Sequence, residues 1–208
     1  MKFVLLVEGD TEKQAAAAFL KRWLDPQLTQ RVGMQVVRFT GWAEMARKLV
    51  AKAQKFLDAP DQADIIAVIG LLDLYGPDFY PGHVTSAQAR HAWGVQYFQQ
   101  SVARERFRMF FAVHEFEAWL LSQPEIFAAE VRRALPGKIA QPEKVDFDEP
   151  PAKLLNALYN RRLKQNYKKV TDGKDLFARL DPAIAINKCP YLKTMLEEML
   201  TLAKAAGL

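Results

Sequence analysis

Three apolar segments of this chain each run directly into an acidic residue. Apolar runs of this length, rich in β-branched and aromatic side chains, are typical of parallel strands buried on both faces. The sequence therefore predicts an α/β fold with a mostly parallel central sheet. The segments are residues 3–7, followed by Glu8; residues 64–73, ending in Asp73; and residues 106–113, followed by His114 and Glu115.

Helical patterns alternate with these segments. Thr11 and Gln14 form a capping-box pattern, which predicts a helix over residues 12–23 after Gly9. Alternation of strands and helices at these lengths favours right-handed crossovers and a sheet flanked by helices. The further predicted elements are a strand over residues 34–39, helices over 42–57 and 86–105, and a Gly- and Pro-rich loop over 74–83.

The last third of the chain has a different character. Residues 136–151 are a proline-rich, acidic connector, and the segments 152–165 and 191–206 have helical apolar spacing. We therefore expect two parts: a core of residues 1–122, and a mainly helical C-terminal extension of residues 123–208 packed on that core.

Composition excludes several classes of protein. Cys189 is the only cysteine among 208 residues, which rules out an internal disulfide framework and a cysteine-based zinc site. The chain has no run of 18 apolar residues, and the apolar segment before Glu8 is too short for a secretory signal. A reducing cytoplasmic location with no membrane partner is the expectation.

The net charge of +5 favours a polyanionic partner such as DNA or RNA. Basic residues concentrate near one segment that also contains three aromatic residues. Such a segment either places cations near phosphates and rings near bases, or is a solvated helix face with its rings in the core. The segment contains Arg161, Arg162, Lys164, Lys168, Lys169 and Lys174, with Tyr159, Tyr167 and Phe177.

The acids that end the predicted strands can form one site, because the carboxyl ends of parallel strands meet at the same edge of a sheet. Several carboxylates close together raise one another's pKa unless a cation lies among them. Oxygen ligands alone select a hard cation, so the residues favour Mg²⁺ or Mn²⁺. The alternative is that Glu8, Asp73 and Glu115 are helix caps, each satisfied by backbone N–H groups.

Several segments resemble the bacterial family named domain of unknown function 4276. The resemblance covers most of the chain and implies a TOPRIM-like fold, the metal-binding module of topoisomerases, primases and the overcoming-lysogenization-defect nucleases. The matching segments are Val-Glu-Gly-Asp-Thr-Glu at 7–12, Leu-Asp-Leu-Tyr-Gly at 72–76, His-Glu-Phe-Glu-Ala-Trp-Leu-Leu at 114–121, Pro-Ala-Lys at 151–153 and Asn-Lys-Cys-Pro-Tyr-Leu at 187–192.

The resemblance implies roles for individual residues. Glu8 corresponds to the proposed general acid or base, and Asp73 to the first aspartate of an Asp-x-Asp pair that holds Mg²⁺. Tyr75 stands at the second position of that pair, so Glu115 or Glu117 is expected to complete the metal site. Three lysines are candidates for neutralising a transition-state phosphate. These are Lys153, Lys174 and Lys188.

The resulting expectation is a Mg²⁺-dependent, nuclease-like protein that cleaves phosphodiesters in nucleic acid, in prokaryotic defence or genome maintenance. Its expected catalytic residues are Glu8, Asp73, Glu115, Glu117 and Lys153, of which the four acids are also the metal ligands. The alternative is a non-catalytic or conditionally active module that works with a partner ATPase. Transfer of a nucleotidyl or phosphoryl group by the same acids is a third reading.

Overall fold

Four parallel strands form the central sheet, in the order β2-β1-β3-β4. The computed structural model describes residues 1–60, 62–136, 139, 141–144 and 150–208. The parallel sheet confirms the fold class predicted from the apolar runs. The strands are β1 (Lys2–Val7), β2 (Gly33–Arg38), β3 (Ile65–Asp73) and β4 (Phe107–Ala112).

Helices cover both faces of the sheet, so alternate residues of β1 belong to two separate cores. Phe3, Leu5 and Val7 pack with α1 and the C-terminal helices, whereas Val4 and Leu6 pack with α2 and α3. The helices are α1 (Asp10–Leu24), α2 (Trp42–Leu57), α3 (Ala87–Val102), α4 (Ala129–Arg132), α5 (Pro151–Leu163), α6 (Thr171–Arg179), α7 (Pro182–Lys188) and α8 (Pro190–Ala205).

Some local predictions are wrong. Helix α1 begins at Asp10 with Gly9 as its N-cap, and no side chain caps it, so the predicted capping box of Thr11 and Gln14 does not form. The sequence of residues 118–121 resembles a helix, and the structure forms a 3₁₀ helix over Phe116–Ser122. Helices α6 and α7 were not predicted. Gly173 lies inside α6, where glycine disfavours a helix, and α7 is short, with Pro182 at its first position.

The C-terminal helices pack on the face of the sheet that α1 covers. Trp119 and Phe177 belong to the same core as Phe19 of α1, and their rings stack or meet edge to face. Parts of the predicted connector, residues 137–138, 140 and 145–149, lie outside the described residues. The division of the chain after residue 122 stays a prediction.

Across the described part of the chain, no helix combines the length and the apolar character needed to cross a membrane.

Candidate functional site

Glu8 and Asp73 lie side by side at the carboxyl edge of the sheet. Val7 pairs with Leu71 in the parallel register, so the residue after β1 reaches the level at which β3 ends. Strand β2, which follows β1 in the chain, lies on one side of β1, and β3 lies on its other side, so the strand order reverses at β1. Open α/β sheets bind ligands in the crevice at such a reversal of strand order. The two acids therefore flank the position where this fold would be expected to hold a ligand.

The Asp73 carboxylate is almost fully buried, with 8% of the residue exposed. Its Oδ1 atom accepts a hydrogen bond of 2.8 Å from the backbone N–H of Phe116, which fixes the side chain against the turn after β4. Burial raises the pKa of Asp73 well above its ordinary value, and the charge of Glu12 raises it further. Asp73 therefore favours the neutral, protonated form unless a cation lies beside it.

The turn after β4 brings two further acids to this edge. His114 has the left-handed φ of 68°, and its carbonyl accepts a 2.7 Å hydrogen bond from the backbone N–H of Tyr75. The reversal at His114 places Glu115 and Glu117 beside the end of β3. Glu115 Oε2 also accepts a 2.8 Å hydrogen bond from the backbone N–H of Ala152, in the first turn of α5.

Lys169, from the segment between α5 and α6, supplies a cation to the cluster. Its Nζ atom lies 3.3 Å from Glu117 Oε2 and 3.6 Å from Glu115 Oε1. The charges of Glu117, Asp73 and Glu115 raise the pKa of Lys169 in spite of its burial. The ammonium therefore stays charged and partly neutralises this edge of the sheet.

Glu12, in the first turn of α1, is the fifth acid of the cluster. It is 7% exposed, and its carboxylate folds back towards the N-cap, where a Cβ atom on Gly9 would lie 2.7 Å from Glu12 Oε2. Burial raises the pKa of Glu12, although backbone hydrogen bonds and the charge of Lys169 oppose the shift. Gly9 thus leaves room for this carboxylate beside the start of the helix.

Two members of the cluster have pKa values displaced to near neutrality. Burial and the charge of Glu12 raise the pKa of Glu8 to about 7, against the opposing charge of Lys169. Burial raises the pKa of Glu117 to about 7 in the same way, again opposed by Lys169. Acids whose pKa lies near the working pH are suited to exchange protons with a substrate or with water.

The donor atoms of this cluster suit a hard divalent cation, since they are all carboxylate oxygens. Glu8 Oε2 and Glu117 Oε1 are both buried, and neither accepts a hydrogen bond. A bound cation would supply the partner that these two oxygens lack. Within the described ranges, however, no group of three or more His, Cys, Asp or Glu residues has the arrangement of a metal site. The donor atoms of the cluster thus fit Mg²⁺ in their chemistry, whereas their arrangement among the described residues does not form a metal site as it stands.

The predicted site residues divide into two groups. The structure brings Glu8, Asp73, Glu115 and Glu117 together at one edge, and their roles as metal ligands or catalysts stay predictions. Lys153 lies exposed on α5, and its ammonium pairs with no described carboxylate within 4 Å. The other candidate lysines also lie elsewhere. Lys188 donates to the carbonyl of Ser122, and Lys174 is exposed on α6.

Sequence reasoning missed two members of the site. Glu12 follows Glu8 by four residues, and this spacing within the motif at 7–12 was the signal available for it. Lys169 had no such signal, because nothing in its spacing distinguishes it from Lys168. Its role depends on contacts between segments that are far apart in the chain.

The aromatic residues of the lysine-rich segment are buried. Tyr159, Tyr167 and Phe177 are only 7%, 7% and 1% exposed, so their rings belong to the core. The rings therefore cannot stack on bases, which agrees with the reading that places them in the core. The basic side chains around them remain exposed, namely Arg161, Arg162, Lys164, Lys168 and Lys174.

Comparisons with known proteins identify a family and a shared fold. The family model described as "Domain of unknown function (DUF4276)" matches residues 7–200. The structure resembles the C-terminal region of the Burkholderia pseudomallei OLD protein, with a TM-score of 0.50, 15% sequence identity, and coverage of 99% of this chain and 98% of that chain. At this identity the likeness shows a common fold.

A second solved structure is the C-terminal region of the Xanthomonas campestris pv. campestris OLD protein. It matches with a TM-score of 0.47 and 18% identity, covering 98% of this chain and 94% of that chain. The search of curated proteins found no significant match.

Proposed function

The chain belongs to the DUF4276 family, and from this premise we propose that it is a TOPRIM-like, Mg²⁺-dependent protein that cleaves phosphodiester bonds in nucleic acid. The observation that carries the proposal is the group of five acids around Lys169 at the reversal of strand order. The fold shared with the C-terminal region of the Burkholderia OLD protein supports the TOPRIM-like assignment. The exposed basic side chains of the lysine-rich segment support a polyanionic substrate.

Glu8 and Asp73 are the proposed metal ligands, with Glu12 or Glu117 completing the set. Mg²⁺ or Mn²⁺, when bound, would polarise the scissile phosphate and stabilise the leaving oxygen. Asp73 is suited to a fixed ligand position, because the N–H of Phe116 holds its Oδ1 atom. Glu8 Oε2, which is buried and accepts no hydrogen bond, is then the second proposed ligand atom.

In the alternative role, Glu8 does not bind the metal and is instead the proposed general base. With a pKa of about 7, it can accept a proton from the attacking water as the new P–O bond forms and the bond to the leaving oxygen breaks. Lys169, which lies beside Glu117 in this structure, would oppose the negative charge that develops on the phosphate. These steps are hydrolysis, in which one water is consumed for each phosphodiester cleaved.

A cleavage assay tests the proposal directly. Purified protein is incubated with single- and double-stranded DNA and RNA in Mg²⁺, in Mn²⁺ and in EDTA. We expect metal-dependent cleavage by the wild type, and a loss of at least 100-fold in Glu8→Ala and Asp73→Ala. Lys55→Ala serves as a control because Lys55 is exposed in the last turn of α2, outside both the cluster and the lysine-rich segment. Cleavage that survives both acid substitutions, or no cleavage of any substrate, contradicts the proposal.

A second candidate function follows from Tyr75 and from the spacing of the acids. Tyr75 replaces the second acid of the resembled pattern, and the described carboxylates do not meet the geometry of a metal site as they stand. Both observations favour a non-catalytic or conditionally active module that acts with a partner ATPase. Isothermal titration calorimetry separates the candidates, because an interaction module would bind no Mg²⁺ at millimolar concentration.

A further inference from the structure

A pocket opens in the loop between β3 and α3, directly after the strand that carries Asp73. The pocket has a volume of about 390 Å³, which falls within the range of about 300–1,000 Å³ that is usual for small-molecule sites. Its lining includes Tyr75, Tyr80, Thr85 and Arg90. Its size and position admit one group of a ligand that extends from the acidic crevice.

The pocket adjoins the acid cluster through both of its tyrosines. Tyr75 follows Asp73 by two residues, and its backbone N–H is bonded to the carbonyl of His114, so the start of the loop is fixed beside the acids. Burial raises the pKa of the Tyr80 phenol, and the charge of Glu8 raises this pKa further, so Tyr80 lies close to Glu8. A chain molecule with its phosphate at Glu8 and Asp73 would therefore reach the pocket with an adjacent unit.

The side chains in the pocket combine a stacking surface with a positive charge. The guanidinium carbon of Arg90 lies 5.1 Å from the centre of the Tyr80 ring, and its Nε donates to the carbonyl of Val84 at 3.4 Å. The centre of the Tyr80 ring also lies 4.6 Å from that of Phe79 and 5.8 Å from that of Trp93. Rings together with arginine planes bind the bases of single strands with little dependence on sequence.

The lysine-rich segment cannot provide this kind of surface, since its three rings are in the core. Base pairs in a duplex are stacked on one another, so a base can enter a pocket only from a single strand or after being flipped out. A single strand is therefore the occupant that this combination of rings, charge and position fits.

We propose that the pocket lined by Tyr75, Tyr80 and Arg90 binds one nucleotide of a single-stranded nucleic acid, next to the phosphate that lies at Glu8 and Asp73. The inference rests on the proposed function, because it assigns the substrate of that same site. The base lies against the tyrosine and guanidinium surfaces, and Arg90 neutralises the flanking phosphate. Asp78, which also lines the pocket, offers an acceptor to a ring N–H donor such as the N3–H of thymine.

The experiment measures binding by fluorescence anisotropy of a labelled oligothymidylate in Mg²⁺, with phosphorothioate linkages that slow hydrolysis. An abasic oligomer of the same length and charge separates base contacts from attraction to phosphate. We expect the wild type to bind the oligothymidylate at least fivefold more tightly than the abasic oligomer. Equal affinity for the two oligomers, or no binding of either, overturns the inference.

Two substitutions test the pocket itself. Arg90→Gln removes the guanidinium, and Thr85→Glu introduces a negative charge at an exposed position of the lining, where folding should not be affected. We expect each to weaken binding of the oligothymidylate at least tenfold, and to reduce its advantage over the abasic oligomer. Matched controls are Arg31→Gln and Thr29→Glu, since both residues are exposed in the loop before β2, at the opposite edge of the sheet. These should change the affinity by less than twofold.

The outcomes separate this inference from the proposed function. An equal loss of oligothymidylate affinity in the pocket variants and in the controls would indicate non-specific charge attraction, and would overturn the assignment of the pocket. A protein that binds the oligomer through Arg90 but cleaves no substrate overturns only the proposed cleavage. A protein that cleaves, but whose Arg90→Gln and Thr85→Glu variants bind as the wild type does, overturns only the pocket.

Discussion

Lys169 and Glu117 form an ion pair, with 3.3 Å between Nζ and Oε2, across two distant parts of the chain. Glu117 is 1% exposed, whereas the Lys169 side chain is 42% exposed. The ammonium thus reaches the buried carboxylate from the solvent side. A divalent cation bound by the same acids would compete with Lys169, because both neutralise the same charge.

Lys169→Met should therefore lower stability and raise metal affinity together. Without metal at pH 8, we expect the free energy of unfolding to fall by roughly 1–3 kcal/mol, less than for a fully buried pair because Lys169 is partly exposed. Mg²⁺ should bind the variant more tightly than the wild type and restore more of its lost stability. Thermal unfolding and calorimetry, each with and without Mg²⁺, measure both effects.

The matched control for this experiment is Lys168→Met, which removes an exposed charge from the neighbouring position. It should leave stability and metal affinity within the error of the measurement. Weaker Mg²⁺ binding in Lys169→Met would mean that Lys169 assists the metal, and the competition would be wrong.

Stability should fall as pH rises through the range from about 4.5 to about 7. The pKa of Glu8 is about 7 in the folded chain against an ordinary value of 4.5, so the native state binds more protons than the unfolded state in this window. The stabilisation from the protonated carboxyl is therefore complete below the window and lost above it. Denaturant titrations in EDTA at pH 5, 6, 7 and 8 measure this decline.

Glu8→Gln should flatten that pH dependence. At pH 8 we expect the variant to melt about 2–4 °C above the wild type, equivalent to roughly 1 kcal/mol in a chain of this size, while losing metal-dependent activity. Its profile at pH 5 should match the wild type closely. An unchanged slope between pH 5 and pH 8 would show that Glu8 is ionised throughout.

Substitutions of Asp73 should separate its structural contact from its proposed ligand role. Asp73→Asn keeps an oxygen that can accept from the N–H of Phe116, so we expect near wild-type thermal stability but at least tenfold weaker Mg²⁺ binding. Asp73→Ala removes the acceptor as well and should cost about 1–3 kcal/mol through the unsatisfied N–H, offset in part by loss of the buried charge. Unchanged calorimetry in Asp73→Asn would contradict the ligand role.

Tyr75→Asp should strengthen metal binding by supplying an acid where the resembled pattern has one. Tyr75 is half-buried and its backbone is held by His114, so the new carboxylate would be introduced two residues after Asp73 without moving the strand. We expect about a tenfold gain in affinity for Mn²⁺ by calorimetry. Tyr75→Asn, which adds no charge, is the control, and an equal gain in both variants would exclude a contribution from the new carboxylate.

The strands and their acidic ends were predictable from the sequence, because buried parallel strands are apolar on both faces. The run that forms β3 has every residue buried, and Asp73 ends it. Parallel strands bring their carboxyl ends to one edge of the sheet, so Glu8 and Asp73 were expected at that edge. That β1 and β3 are neighbours there is known only from the structure.

The remainder of the site depends on interactions that no local pattern encodes. Lys169 reaches Glu117 only because α5 and α6 pack beside the turn after β4. The left-handed backbone conformation of His114 could not be predicted from the sequence either, since non-glycine residues adopt it infrequently. Local capping rules also failed at Thr11, where the helix begins earlier, at Asp10.

The attachment of Glu115 to the first turn of α5, together with the ion pairs of Lys169, has an evolutionary consequence. Recombination that replaced residues after 150 with those of a divergent homologue would exchange the countercharge while leaving the acids behind. In such a chimaera, the acids Glu115 and Glu117 and the cation at position 169 would come from different parents. The acids and the cation should therefore be inherited together. We expect positions 115, 117 and 169 to covary in an alignment of homologous sequences.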